Sequence, residues 1–346
     1  MENAAAFLSQ ATLLTDVVDA LVGAYGSLAA PFSRYYPPYL LAAFLIAVFA
    51  FFHIRRHLPE DKKDNLFLFL FNPKSLFSRS SLVDVKVTLA NRCVLPVLAL
   101  FERGALVASA YWFASLFASN AEFIAQQTSN LGGAGLVALT VMIVAVSDFT
   151  TYWVHRLHHE SSLIWPFHRL HHSAETLTPI TFTRKHPVYD LIRALSNAFL
   201  VGPAQGLIFG LFGVTDFTTI LGVNAVTAIF FWSGANLRHS HVWLSYGPVL
   251  NRIFISPAQH QIHHSCAPEH HDKNYGEIFA LWDWMFGTLY NPSHYEDLQF
   301  GVADREGRRI EQLHPTLKAA YLEPFSASYE ALRKKDESAR SAIAQN

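Results

Sequence analysis

Residues 123 to 147 run for 25 positions without a single Asp, Glu, Lys or Arg. A stretch of that length can cross the hydrocarbon of a bilayer as a helix, which satisfies its own backbone hydrogen bonds. Other regions share the property. Positions 35 to 54 are uncharged for 20 residues and open with Pro37-Pro38, while 194 to 215 and 217 to 237 are uncharged and divided by Asp216, the pattern of a hairpin that leaves and re-enters the membrane. The region from Cys93 to about Ser119 is interrupted by Glu102-Arg103 and reads either as one helix with a polar kink or as a span that begins at Gly104. Together these runs predict an all-α fold, an integral-membrane bundle of about four to five transmembrane helices.

Five crossings would put residues 55 to 92, 148 to 193 and 238 to 346 on one side, with 8, 5 and 11 Lys/Arg; the other side holds Arg34 alone, and Arg103 lies within the second run. The basic side of a membrane protein faces the cytosol, so a cytosolic helical cap is expected from these segments. Composition agrees, since 15% charged residues is well below the roughly 25% of soluble domains. A net charge of -1 supplies no basic field for nucleic acid. The two cysteines, Cys93 and Cys266, make neither a disulfide framework nor a thiolate zinc pattern. Residues 1 to 34 have no Lys or Arg ahead of their apolar stretch, which Asp16 and Asp19 interrupt; they read as a non-spanning lead, not a cleavable signal. Residues 35 to 300 form the membrane domain, and 301 to 346 a charged, solvated cytosolic tail.

Histidine is the compositional outlier. Of 18 histidines, 14 fall between His155 and His271. Three clusters repeat one spacing: HRLHH at 155 to 159, HRLHH at 168 to 172 and HQIHH at 260 to 264. On a helix, positions i and i+4 share a face, so His155 with His159, His168 with His172, and His260 with His264 each present two imidazoles to one point. His171 and His263, at i+3, can join them. Imidazole suits iron, zinc, copper and nickel, and this many nitrogen donors exceeds the four of a structural zinc, so two metals are expected. His53, His57, His294 and His314 stand alone and read as surface or interfacial residues. Asp148 lies two helical turns before His155 and is expected either to accept the second ring N–H of a ligand or to serve as a plain interfacial aspartate.

The strings DFTTYWVHRLHHE, LIWPFHRLHHSAE and SPAQHQIHHS, the last followed by DKNYGEIFALWDWMFGTLY, closely resemble the fatty acid hydroxylase and sterol desaturase superfamily of membrane di-iron enzymes, from about Asp148 to Tyr290. The resemblance implies a ligand set of His155 and His159; His168, His171 and His172; His260, His263 and His264. His158 is then an additional histidine that the family pattern does not require. The family also places a ligand shortly before a Gly-Pro, here His239 ahead of Gly247-Pro248, with His241 competing for the role. His186-Pro187 resembles an element that ligates or lines the site in some members, and His270 and His271 have no firm counterpart. The family implies two iron ions, O2 as co-substrate, a lipid substrate that is a fatty acyl chain, a sterol or another isoprenoid, and hydroxylation or desaturation of a C–H bond. Electrons would come from a separate ferredoxin-type or cytochrome-type donor with its reductase, because no flavin, haem-attachment or dinucleotide motif is visible. Two other classes compete with this reading: a histidine-rich metal transporter, which would hold its ligands within the spans near the midplane, and a bis-histidine haem carrier, which would need facing histidines inside the helices.

Overall fold

The computed structural model describes residues 33–54, 65–117, 132–212, 219–220, 223–304, 306–311 and 313–344. Positions 1 to 32 of the lead, Arg55-Arg56, His57, Lys62, the start of the third uncharged run and Asp216 lie outside them. The principal helices are α1 (Pro37–Ile54), α2 (Arg79–Ser115), α3 (Gly132–Glu160), α4 (Trp165–His172), α5 (Pro187–Ser196), α6 (Gly202–Phe212), α7 (Ala225–Trp232), α8 (Pro257–His263) and α9 (Leu317–Ala344). The described sheet is a minimal antiparallel pair, β1 (Thr219–Ile220) and β2 (Val223–Asn224), with Thr219 opposite Asn224. Among the described residues, three rods are long and apolar enough to cross a membrane: α2, α3, and α5 with α6, which a π turn over Asn197–Val201 joins into one run. The architecture is a membrane helical bundle.

The charged interruption of the second apolar run has a partner inside this bundle. Glu102 accepts from Arg193 at 2.8 and 3.0 Å and from Asn197 at 2.6 Å, so α2 continues as one helix from Arg79 to Ser115; no separate span begins at Gly104. The rod α5–α6 closes on α2 through Gly202, Gly206 and Gly210, which recur every fourth residue and thus line one stripe. A Cβ on Gly206 would stand 2.3 Å from the Ala110 carbonyl oxygen and 2.8 Å from the Phe113 Cβ. Only hydrogen fits between these backbones.

Two of the expected crossings take other forms. The run 217 to 237 contains β1, β2 and the eight-residue α7, whose start is fixed by Asn224 accepting from Val226 N–H. Eight residues rise only about 12 Å, less than half a bilayer core. The β-branched residues Thr219, Ile220 and Val223 favour extended pairing over helix. Helix α1 lies along the histidine-bearing layer instead of separating Arg34 from it. Its Ala43, Ala47 and Ala50 pack on Leu237, Val242, Trp243, Ala258 and Ile262, and Arg34, ahead of its first turn, stacks 3.8 Å from the Phe182 ring centre. The outward face carries Leu40, Leu41, Phe44, Leu45, Phe49 and Phe52, all exposed, a surface that lipid covers better than water.

The carboxy-terminal segment is also more than a solvated tail. Ala320 is buried with Val83, Val87 and Leu170, Glu323 pairs with Arg169, and fully buried His314 sits between Ser173 (3.0 Å) and Glu323 (2.9 Å). The first half of α9 therefore braces α4, the helix of the second histidine cluster.

The glycine stripe generates a contrast. Gly206→Leu should destabilise the protein by about 1–3 kcal/mol or more and lower its thermal midpoint in detergent. Gly104→Ala, with nothing within 4 Å of the new Cβ, should leave the midpoint unchanged or raise it. Equal midpoints for the two variants would show that α2 and α6 are not in close contact.

Candidate metal centre

Each histidine cluster is fixed by a different local device. His155 and His159 ride on the last turns of α3. Helix α4 starts with Pro166 in its first turn, where a missing N–H costs nothing, and it ends against Arg184. That guanidinium donates through Nε to the Leu170 carbonyl (2.9 Å), through Nη2 to the Ser173 carbonyl and hydroxyl (3.3 and 2.9 Å), and through Nη1 to Asp84 of α2 (3.0 Å). A cation at a helix carboxy terminus complements the dipole, and a buried Arg–Asp pair is tolerated because its donors are used. Helix α8 opens with a capping box, Ser256 with Gln259, and Gln261 donates to the Leu237 and Val242 carbonyls at 3.2 and 2.9 Å. His239 follows α7 after the reversal at Gly234, whose φ of 98° suits glycine.

These elements bring nine imidazoles into two adjacent groups, His155, His159, His168, His172 and His263 in one, and His171, His239, His260 and His264 in the other; within each group the ligand atoms all lie within 4.8 Å of one another. The i+3 histidines do not join their own neighbours. On a helix i+3 and i+4 diverge by about 100°, so α4 sends His168 and His172 to the first group and His171 to the second, while α8 sends His260 and His264 to the second and His263 to the first. The second and third clusters therefore straddle both groups, and the first serves one alone.

Backbone carbonyls orient the rings. His155 Nδ1–H donates to Tyr275 O and His263 Nδ1–H to Lys273 O, both at 2.8 Å, leaving each Nε2 free to face its group. The loop that offers these carbonyls is built with care. Asp272 and Asn274 adopt φ of 58° and 56°, and Asn274 spans from the Gln259 carbonyl (3.1 Å) to Tyr290 N–H (2.8 Å). Asp283 accepts from Tyr275 N–H and Gly276 N–H at 2.8 Å and from the Thr288 hydroxyl at 2.6 Å. Asp148 accepts from Ile278 N–H, Phe279 N–H and the Trp282 indole, each at 2.9 Å. Its expected bond to a histidine is thus replaced by three bonds to the segment after Tyr275, and it acts on the site through that loop. Burial pushes the Asp283 carboxyl up to about 6.

Among the described residues, the remaining histidines join neither group. His158 donates to Val154 O at 2.7 Å and lies against Tyr189. His186 caps α5, accepting from Val188 N–H through Nδ1 and donating to Tyr321 O through Nε2; His241 donates to Phe69 O. Neither joins a group. His270 meets Glu296 at 3.0 Å. Asn274, Asp283, Gln261 and Arg184 were not singled out from sequence, although the first two fall within the DKNYGEIFALWDW string that carried the resemblance.

Burial, reinforced by neighbouring positive groups, holds His168, His171, His172, His239, His260 and His264 well below the ordinary histidine value of 6.5; burial pushes His263 down to about 4. These rings are neutral near pH 7, the state that binds metal. The Nε2 atoms of His155 and His168 are 2.9 Å apart, those of His168 and His172 3.2 Å, His171 and His239 3.1 Å, and His239 and His260 3.0 Å. Adjacent nitrogens at right angles around an ion with bonds of about 2.1 Å are separated by about 3 Å. The buried Nε2 atoms of His159, His263 and His264 have no hydrogen-bond partner, which is costly unless a cation takes their lone pairs. The donor set therefore fits two imidazole-bound ions.

The family model described as fatty acid hydroxylase matches residues 140–288. The chain is 29% identical over 165 residues to ornithine lipid hydroxylase OlsE of Rhizobium tropici, covering 48% of this chain and 46% of that protein. It is 30% identical over 162 residues to an alkylglycerol monooxygenase of Caenorhabditis elegans (46% and 28%) and 29% identical over 144 residues to the human alkylglycerol monooxygenase (41% and 28%). Each match spans less than half of the relative's length. No solved structure matches the chain.

Removing the Asp148 acceptor strands three donors. Asp148→Ala should cost about 3 kcal/mol and loosen metal retention, read by thermal unfolding and by metal analysis after gel filtration; unchanged values in both would refute its anchoring role. A second expectation concerns acid. The unfolded chain takes up protons near 6.5 while these buried rings do not, so their contribution to stability is complete above 6.5 and is lost as pH falls toward their lowered folded values. The thermal midpoint of metal-free protein should fall steadily from pH 6.5 to pH 4, and a flat profile over that window would be incompatible with neutral burial.

Proposed function

We propose that this chain, whose residues 140–288 match the fatty acid hydroxylase family model, is a membrane non-haem di-iron oxygenase that hydroxylates a lipid C–H bond. The observation that carries the reading is the pair of adjacent groups supplying nine imidazole donors. All nine belong to the set that the resemblance implied, and we assign five to one iron and four to the other, leaving His158, His186 and His241 out of the ligand shell. Histidine-bound iron, when present, supplies the redox chemistry by which O2, two electrons and two protons convert R–H to R–OH with release of water.

The protein's part is positional. Neutral rings bind the ions, the Tyr275 and Lys273 carbonyls fix two of them, and Asp148 and Asp283 hold the loop behind those carbonyls. The relatives' names, a hydroxylase and monooxygenases of lipids, favour oxygen insertion over desaturation. They also disfavour the metal-transport reading. We place the histidine-bearing layer on the cytosolic side, because the segments that carry the histidines, 148 to 193 and 238 to 346, hold 16 of the 26 Lys/Arg (5 and 11), and a separate ferredoxin-type or cytochrome-type donor would reach it there.

Purified protein should carry about two irons per chain, one for each group, and consume O2 only with an electron donor and a lipid present. Labelled O2 should leave one labelled atom in the product. His172→Ala should abolish turnover and lower bound iron, whereas His158→Ala should keep most of both. Zinc-loaded protein should stay folded but inactive, because zinc has no redox chemistry. Full activity without iron would overturn the proposal.

A further inference from the structure

Four cationic side chains converge beside the second histidine group, more than its architecture needs. Two of them are paired. Arg193 holds Glu102 and lies 3.8 Å from Asp190, and Arg238 donates to the Glu277 carbonyl at 3.0 Å while touching its carboxylate at 3.5 Å. The other two, Arg34 and Lys185, have no ion-pair partner among the described residues. Arg34 rests on the Phe182 ring, and the Lys185 ammonium lies 5.4 Å from the centre of the Tyr189 ring. Both are half-buried, a setting that disfavours a cation without a close counter-charge. Burial, with the Arg238 charge beside it, lowers Arg34 to about 10, and burial, with the Arg193 and Arg34 charges, lowers Lys185.

Glu277 lies among these charges. Burial works to raise its carboxyl, yet Arg238, Lys185, Arg34 and Arg193 together hold it below the usual value. Its side chain nevertheless remains 47% exposed. The same charges reach the histidines: Lys185 acts on His171, and Arg238 and Arg34 act on His239.

An apolar groove of about 220 Å³ reaches one of these cations, lined by Arg34 and His239 together with Ala43, Phe44, Leu177 and Val242. Its mouth lies beside Leu40 and Phe71, both exposed, on the outward apolar face of α1. One groove thus joins a lipid-facing rim, an unpaired guanidinium and a histidine of the second group.

We propose that this groove binds a lipid through an anionic oxygen group, a carboxylate or a phosphate, held by Arg34, with the Lys185 charge acting from nearby and the chain against the apolar walls leading to His239. The inference rests on the oxygenase reading for its choice of a lipid. Arg presents a planar fork to such oxygens and Lys a point charge, and their half-buried setting makes the match selective against neutral lipids.

The test is saturable binding to the full-length, metal-loaded protein in neutral maltoside micelles, with radiolabelled palmitate, palmitoyl lysophosphatidate and hexadecanol as probes. Palmitate or the lysophosphatidate should bind roughly tenfold or more tightly than hexadecanol, and acetate or inorganic phosphate at equal concentration should not compete. Arg34→Gln and Lys185→Gln should each erase most of the preference with hexadecanol affinity unchanged. Arg34→Lys should restore part of it, which separates lost charge from lost fold. Equal binding of all three chains to the wild type would overturn the proposal, as would a preference that survives both Gln variants or displacement by the free anions. Binding is read without turnover, so a protein that selects anions but never consumes O2 would refute the oxygenase reading and keep this one, and an active protein without selection would do the reverse.

Discussion

Nine imidazoles gathered in a buried space set the terms for everything around them. Charged, they would repel one another and face a severe desolvation penalty; neutral, they present lone pairs that water cannot reach. Only cations resolve that situation, and only if the rings are held so that their lone pairs converge. The capping box of Ser256 and Gln259, the Arg184 bonds at the end of α4 and the Asp148 and Asp283 bonds to the loop around Tyr275 serve that one requirement. Each is a charged or polar group spent on backbone, and together they transmit the position of the membrane helices to the rings.

The bundle below carries polar cargo on the same terms. Glu102 sits in an apolar helix because Arg193 and Asn197 saturate it, and Asp84 is fully buried because Arg184 and Thr181 bind it. These pairs tie α2 to the rod α5–α6 and to α4. Where no such pair is needed, the helices meet through glycine, at distances that exclude even a methyl group. The bundle is thereby specified by packing and by pairing at different heights.

Much of this was legible in the sequence because periodicity survives folding. The i, i+4 pairs His155–His159, His168–His172 and His260–His264 each converge as helical spacing requires, and the uncharged run up to Ser147 became α3. What was not legible depends on direction between elements. Helical spacing alone cannot say that His171 and His263 cross over to the opposite groups, since that follows from how α4 and α8 face each other. Asp148 has the spacing of a histidine partner, yet its real partners lie 130 or more positions away. An uncharged run likewise does not distinguish a crossing helix from α1, whose alanine face lies on the histidine layer, nor reveal that β-branched residues would shorten α7. His314 looked solitary because its partners, Ser173 and Glu323, are brought to it by tertiary packing.

The exchange of one histidine between α4 and α8 has a mechanical meaning. Each helix grips both donor groups with a single turn, so neither group can be emptied, widened or displaced while the other stays whole. The spacing between the two centres is set by the pitch of an α-helix, about as stiff a ruler as a polypeptide possesses, and bending of the long membrane rods cannot stretch it. Such a centre behaves as one rigid tool with two points, and fluctuation in the surrounding bilayer can change what reaches it without changing its gauge.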